Sequence, residues 1–104
     1  MNFPSILFGY VRNRYRMRSP LHSEKYQLFL EELQALRAEA GLSQMELADK
    51  IQVGQDLISR SETGHRRVDV FELALWTHAC GTTLEAFVKK LDERIQRHQL
   101  PSLL

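Results

Sequence analysis

The sequence has one cysteine, no long apolar run and no large excess of charge of either sign. A single cysteine, Cys80, excludes an intrachain disulfide and fits a reducing compartment. No apolar run approaches the roughly 18 residues that a membrane-spanning helix needs, and the amino terminus lacks the basic-then-apolar order of a secretory signal. We therefore expect a cytoplasmic protein, and 104 residues support one domain with a single hydrophobic core.

Residue patterns that carry catalysis or hold metal ions are also missing. The four histidines do not have the spacing of a metal site; they are His22, His65, His78 and His98. No nucleophile paired with a base and no glycine-rich phosphate loop can be identified. We therefore expect no enzyme activity and no cofactor, and we interpret Phe71, Trp76 and Cys80 as core residues.

The net charge of +1 hides an uneven distribution. Residues 1–22 contain four arginines and no acidic residue, whereas the other 82 residues contain 10 Lys or Arg and 13 Asp or Glu, a net charge of −3. Most non-specific DNA affinity comes from neutralising phosphates, so an acidic domain needs a local basic patch to bind DNA. The candidate patch consists of Arg60, His65, Arg66 and Arg67.

Residues 1–22 form a basic N-terminal extension to the domain. Its apolar beginning and alternating arginines allow two interpretations. One is an arm that lies on DNA or enters the minor groove. The other is a poorly ordered tail, or an upstream stretch ahead of a true start at Met17.

Apolar residues at three- and four-residue steps predict an all-α domain of five helices over 23–98, followed by an apolar C-terminal tail over 99–104. The predicted helices cover about 23–40, 43–51, 55–63, 69–80 and 82–98. Capping patterns mark the start of three of them: Ser43 with Glu46, Asp69 with Glu72, and Thr82 with Glu85.

The apolar stripe of the fifth predicted helix is longer than a compact five-helix domain needs. Leu91, Ile95 and Leu100 belong to this stripe, together with the last leucines of the tail. Because a partner helix would bury such a stripe, we expect these residues to form a dimer face.

The stretch 42–64, LSQMELADKIQVGQDLISRSETG, carries the functional prediction. It predicts two short helices joined by the turn 52–54, the second of them with a polar outer face. A pair of helices of this kind is a helix-turn-helix, which places its second helix in the major groove of DNA. The side chains in the first turns of that helix reach base edges; here they are Gln55, Asp56, Ser59 and Arg60.

Three short motifs within this stretch carry a family resemblance: Gln44-x-Glu46-Leu47-Ala48, Ile58-Ser59-Arg60 and Glu62-x-Gly64. The chain resembles, over about 26–91, the Cro/C1-type (XRE-like) helix-turn-helix family of small bacterial and phage transcriptional regulators. The resemblance implies a lambda-repressor-like five-helix fold. Two positions depart from the family pattern: Gln52 stands where glycine is usual, and Ser61 where an apolar residue is more common.

The resemblance also implies roles for residues outside the first turns of the reading helix. It implies that Gln44 contacts a phosphate and braces Gln55, and that Arg37 and Glu62 form a semi-buried ion pair. Further phosphate contacts are expected from Thr63, His65, Arg66 and Arg67.

We therefore expect a sequence-specific regulator, acting as a repressor and binding an inverted-repeat operator in double-stranded DNA as a homodimer. The alternative from another class is an antitoxin that binds its toxin and autoregulates its own operon. A restriction-modification controller and a domain that has lost DNA affinity are further alternatives.

Overall fold

The computed structural model describes residues 23–104, which fold into five α-helices joined by short loops. In order, these helices are α1 (Glu24–Glu39), α2 (Gln44–Ile51), α3 (Gln55–Glu62), α4 (Val70–Ala79) and α5 (Leu84–Arg97). The all-α prediction is confirmed, and residues 23–104 contain no strand. The predicted basic arm of residues 1–22 lies outside the described residues. None of the described helices combines the length and apolar character that a membrane crossing requires.

The predicted capping patterns are confirmed at α2 and α4 and wrong by one residue at α5. Ser43 caps α2 with Glu46, and Asp69 caps α4 with Glu72. At α5 the cap is Thr83, whose hydroxyl accepts the backbone N–H of Ala86. Thr82 is instead used by the preceding helix, because its backbone N–H donates to the Thr77 carbonyl at 2.9 Å. It therefore closes the end of α4, as residues past a helix C-terminus often do.

The turn between α2 and α3 has the left-handed backbone that usually calls for glycine. Gln52 occupies this position with φ 62°. Its side-chain amide donates to the Asp49 carbonyl at 2.9 Å. This hydrogen bond offsets part of the free-energy cost of the left-handed backbone. At the end of α3, Gly64 has φ 82°, and a Cβ there would lie 3.0 Å from the Leu30 side chain. Gly64 therefore serves both the backbone turn and the close approach of α1.

The core is built from side chains of all five helices. Its fully buried members are Leu33, Leu47, Ile58, Trp76, Phe87 and Ile95. Phe29 on α1 meets Phe87 on α5 edge to face, with 5.9 Å between ring centroids. Arg94 of α5 also donates to Glu32 of α1 at 2.9 Å, so an ion pair fixes the same crossing.

The predicted dimer face is wrong for two of its three residues. Leu91 is 7% exposed and Ile95 is fully buried, because both pack into the core on the α1 side of α5. Leu100 is half-buried and packs against the same core. The side chains of Leu91 and Ile95 are used within one chain, so they are not available to a partner.

The tail over 99–104 folds back onto α5. The carboxylate of Asp92 accepts the backbone N–H of Leu103 at 2.6 Å and the Ser102 hydroxyl at 2.7 Å. These hydrogen bonds, the one from the Leu103 backbone first, hold the pKa of Asp92 below its ordinary value. This one carboxylate therefore holds residues 102 and 103 of the tail against α5.

Phe71 is not a core residue, in contrast to the prediction. Its side chain is 80% exposed, whereas Trp76 on the same helix is 1% exposed. Apolar residues occur all round α4, so their spacing does not indicate which side faces inward. Cys80 is half-buried at the C-terminal cap of α4, and burial raises the pKa of its thiol.

Candidate nucleic-acid interface

Helix α3 divides its residues between an inner and an outer face. Ile58, Ser61 and Glu62 are buried against the rest of the domain. The opposite side carries the four predicted base-reading side chains: Gln55, Asp56 and Arg60, which are exposed, and Ser59, which is half-buried. These positions are i, i+1, i+4 and i+5, so they share one side of the helix. The structure thus brings the predicted reading residues together on an accessible surface.

The amino end of α3 is where this surface begins. Gly54 provides no side-chain cap for the helix. Asp56 lies in the first turn, where the positive end of the helix dipole favours a carboxylate. That placement gives Asp56 a stabilising role in the free protein that is independent of base contact.

A buried carboxylate connects the three helices around this surface. Glu62, with a side chain 2% exposed, accepts two hydrogen bonds from Arg37 of α1, at 2.6 Å from Nε and 2.9 Å from Nη2. The same carboxylate accepts the side-chain amide of Gln44 at 3.0 Å. The Glu62 carbonyl accepts the Gln34 amide at 2.9 Å. The ion pair implied by the resemblance is therefore present, and it also positions α2.

The Arg37–Glu62 pair is charge-assisted and well shielded. Arg37 also donates to the Leu42 carbonyl at 3.0 Å, so its guanidinium is held at both ends. The hydrogen bonds to Glu62 raise the pKa of Arg37 against the opposing effect of burial. Removal of the arginine would leave Glu62 as a buried charge without its countercharge.

The hydrogen bond to Glu62 fixes the orientation of the Gln44 amide. Because the Gln44 nitrogen donates to Glu62, its oxygen is left to accept, and Gln55 Nε2 lies 3.4 Å from it. Gln55 then keeps one amide hydrogen and its carbonyl oxygen for another partner. That remaining donor and acceptor match the N7 and N6 edge of adenine in the major groove.

The loop after α3 contains the residues predicted to contact phosphates, and these residues differ in how far their side chains are already engaged within the protein. The Thr63 hydroxyl donates to the Ser59 carbonyl at 3.1 Å and lies 2.8 Å from His65 Nδ1. Arg67 is exposed, and no ion pair to it is found within residues 23–104. Arg60 is likewise exposed and has no ion pair to a described residue.

Arg66 has a different role from the one predicted. Its guanidinium binds both carboxylate oxygens of Glu72 on α4, with Nη1 at 2.9 Å from Oε1. This pairing raises the pKa of Arg66 and lowers that of Glu72. Because its charge is already matched, Arg66 fixes the loop to α4 and adds little to a phosphate-binding patch.

Two contributors to the site are absent from the sequence-based prediction. Gln34 holds the end of α3 through the Glu62 carbonyl, and the Tyr26 hydroxyl accepts the Val68 backbone N–H at 3.2 Å. Both lie on α1, far from the loop in sequence, so no local pattern indicates them. Among residues 23–104, no group of three or more His, Cys, Asp or Glu side chains is arranged to hold a metal ion.

Comparison with known proteins places this geometry in a family. A family model described as a helix-turn-helix domain matches residues 28–87. A solved structure of an XRE-family like protein from Pseudomonas syringae pv. tomato str. DC3000 is 34% identical over 70% of this chain and 89% of that chain, with a TM-score of 0.65. A comparison with curated proteins gives no match.

Proposed function

Because this chain belongs to the XRE-like helix-turn-helix family of DNA-binding transcriptional regulators, we propose that it is a repressor that reads an inverted-repeat operator. Helix α3 enters the major groove, and Gln55, Asp56, Ser59 and Arg60 face the base edges. The observation that carries the proposal is the Gln44–Gln55 contact, which orients a base-reading amide before DNA arrives.

The bases that these side chains select follow from their remaining hydrogen-bonding groups. Gln55 keeps a donor and an acceptor for adenine, and Arg60 supplies two donors for the O6 and N7 of guanine. Gln44 lies at the amino end of α2, where a helix terminus favours a phosphate. Thr63, His65 and Arg67 follow α3 and supply the phosphate contacts on its other side.

A homodimer suits this chain because its reading surface is small. One helix-turn-helix covers only a few base pairs, whereas two copies about one helical turn apart multiply the specificity. Repression follows if the operator overlaps a promoter, since a bound dimer excludes polymerase from that site.

Selection from a library of random duplexes tests the proposal. We expect the full chain to enrich two copies of one short half-site, inverted and about 10 base pairs apart from centre to centre. The Gln44→Ala, Gln55→Ala and double variants are then measured on the enriched duplex. Because Gln44 positions Gln55, the double variant should lose less affinity than the two single losses together. Enrichment of no sequence, or fully additive losses, would contradict the proposal.

A further inference from the structure

A buried carboxylate begins a series of hydrogen-bonded side chains that ends on the predicted reading surface. Oε1 of Glu62 accepts hydrogen bonds from Arg37 Nη2 at 2.9 Å and from the Gln44 amide at 3.0 Å. The Gln44 oxygen in turn lies 3.4 Å from Gln55 Nε2. Glu62 is 2% exposed, whereas Gln55 is exposed. The series Glu62–Gln44–Gln55, called here the amide chain, therefore connects the interior of the domain with a base-reading side chain.

The direction of each hydrogen bond in the amide chain follows from its first member. A carboxylate has no hydrogen to donate, so the Gln44 group that meets it must be the NH2 group. Half a turn of the Gln44 amide would place its oxygen against the Glu62 oxygen, with no hydrogen between them. The Gln44 oxygen is therefore directed to α3, where the NH2 group of Gln55 donates to it. Gln55 is thereby held in one of its two amide orientations.

The ion pair with Arg37 holds the Glu62 carboxylate in place for this task. Arg37 Nε donates to Glu62 Oε2 at 2.6 Å, and Arg37 Nη1 donates to the Leu42 carbonyl at 3.0 Å. The Glu62 backbone is also fixed, because its carbonyl accepts the Gln34 amide at 2.9 Å. Charge-assisted hydrogen bonds are stronger than one between two neutral amides. The direction of the amide chain is therefore set from the interior outward.

We propose that Glu62 is a positioning residue for base reading, because it sets through Gln44 which end of the Gln55 amide meets each group of the base. The proposal rests on the proposed function, since it concerns the base preference of the same surface. An amide makes two hydrogen bonds to adenine when its nitrogen faces N7 and its oxygen faces the N6 amino group. The reversed amide places its oxygen against N7, and both atoms are acceptors. The Arg37–Glu62 pair thus contributes to sequence preference from inside the domain.

Replacement of the ion pair as a unit tests this role. Arg37→Met combined with Glu62→Met leaves neither member as an unmatched charge, and apolar replacement of a buried ion pair is often neutral for stability. We expect this double variant to lower the preference for adenine at the Gln55 position by about 2- to 12-fold, the range that one net hydrogen bond covers. The guanine preference of Arg60 should stay unchanged. Operator duplexes with single-base changes measure both preferences, and circular dichroism establishes that the variant is folded.

A carboxylate at position 44 provides a rescue that a merely structural role of Glu62 would not allow. In the double-variant background, Gln44→Glu again offers Gln55 an acceptor without a hydrogen, so the adenine preference should return while the added negative charge lowers affinity for every duplex. Gln44→Lys is the matched control, because it offers donors alone and should raise affinity for every duplex without restoring the preference. Equal adenine preference in these two variants, or an equal loss of guanine preference in the double variant, would overturn the proposal.

The side-chain amides of the free protein separate this inference from the proposed function. Nuclear magnetic resonance of the full chain should show slower hydrogen exchange at the Gln44 amide in the wild type than in the double variant. The Gln96 amide is the control, because it donates to Asp92 at 2.7 Å, away from the ion pair. A protected Gln44 amide in a protein that prefers no DNA sequence would overturn the proposed function and retain Glu62 as the residue that orients Gln44. Equally fast exchange in both proteins would overturn the role of Glu62.

Discussion

Gln55 and Arg60 lie at opposite ends of the reading surface, and each has hydrogen-bonding groups left for a base. A bidentate side-chain contact to a base gives about 1–3 kcal/mol of discrimination. We therefore expect Gln55→Ala and Arg60→Ala each to weaken operator binding by about 5- to 150-fold. Fluorescence anisotropy on the operator measures this loss.

The matched control for Arg60 is Arg97→Ala, an exposed arginine at the end of α5. It removes the same charge away from α3. Gln55→Ala adds a second comparison, because it changes no charge and should leave binding to a scrambled duplex as it is. An equal loss on operator and scrambled duplexes would mean that Gln55 reads no base.

We expect the loss of Arg37 to reduce the stability of the fold rather than to remove a direct DNA contact. Its removal leaves Glu62, 2% exposed, without its countercharge. We expect Arg37→Ala to lower the free energy of unfolding by about 3 kcal/mol, the low end for a buried pair because the Arg37 side chain is 20% exposed. Urea denaturation measures the change.

The exposed pair Lys90–Glu39 provides the control for Arg37. Its side chains are 59% and 65% exposed, so Lys90→Ala should cost less than about 1 kcal/mol. Equal costs for the two variants would show that burial of Glu62 does not set the energy of its pair.

The positions of residues on a helix face were predicted well from local periodicity, whereas the ion-pair partner of Arg66 was not predicted. Positions 55, 56, 59 and 60 share a face because helical periodicity requires it. Arg66 was assigned to phosphate because it lies in the basic loop after α3, where the family resemblance implies phosphate contacts, and its acceptor Glu72 was interpreted as a capping residue alone. The Glu72 carboxylate accepts both the Asp69 backbone N–H at the start of α4 and the Arg66 guanidinium. The sequence alone does not indicate this double role.

At the scale of elements, the turn between α2 and α3 contains a strained residue. Gln52 has φ 62°, a region that costs a residue with a Cβ about 1–2 kcal/mol. Glycine removes this cost and loses more chain entropy on folding, so Gln52→Gly should stabilise the protein by about 1 kcal/mol. Thermal unfolding measures the gain. Gln52→Val should lower the melting temperature, and a lower value for the glycine variant would show that the strain is smaller than the combined loss of chain entropy and of the Gln52–Asp49 hydrogen bond.

The helix boundaries were predicted because their signals are chemical and local. Ser43 and Asp69 accept backbone N–H groups three residues on, so the sequence alone indicates where α2 and α4 begin. The cap of α5 was predicted at Thr82 and lies at Thr83, because the Thr82 backbone N–H donates to the Thr77 carbonyl at the end of α4. The inward side of α4 was predicted wrongly at Phe71, because a helix with apolar residues all round has no preferred side.

Across the whole molecule, the attachment of the tail to α5 should depend on pH. The pKa of Asp92 is lowered in the folded protein, so its contribution to stability is present above the unfolded pKa of about 3.9. That contribution is lost as the pH falls through the lower folded value. We expect the wild type to lose stability below about pH 4, and Asp92→Asn to lose less over the same range.

Denaturant unfolding at neutral and acid pH measures this dependence. Glu93→Gln is the control, because Glu93 is the exposed neighbour of Asp92 and takes no part in holding the tail. An Asp92→Asn variant with the acid sensitivity of the wild type would show that the tail contributes nothing through this carboxylate.

The fold of residues 23–104 follows from sequence because helix starts, helix ends and apolar steps agree with each other. The predicted dimer face failed for a reason that belongs to the whole molecule. When α5 was considered alone, Leu91 and Ile95 were interpreted as apolar residues that the core does not use. In the structure both are buried in the core. The number of apolar residues that a core buries depends on how the helices pack together. The sequence pattern of a single helix does not reveal that packing.

Sequence-specific reading by α3 is the central claim, and one titration tests it most directly. Fluorescence anisotropy compares the selected operator with a scrambled duplex of the same length at two salt concentrations. We expect the operator to bind at least about 10³-fold more tightly, and to keep this preference as salt weakens both complexes. Equal affinity for the two duplexes, or binding to neither, would contradict the account.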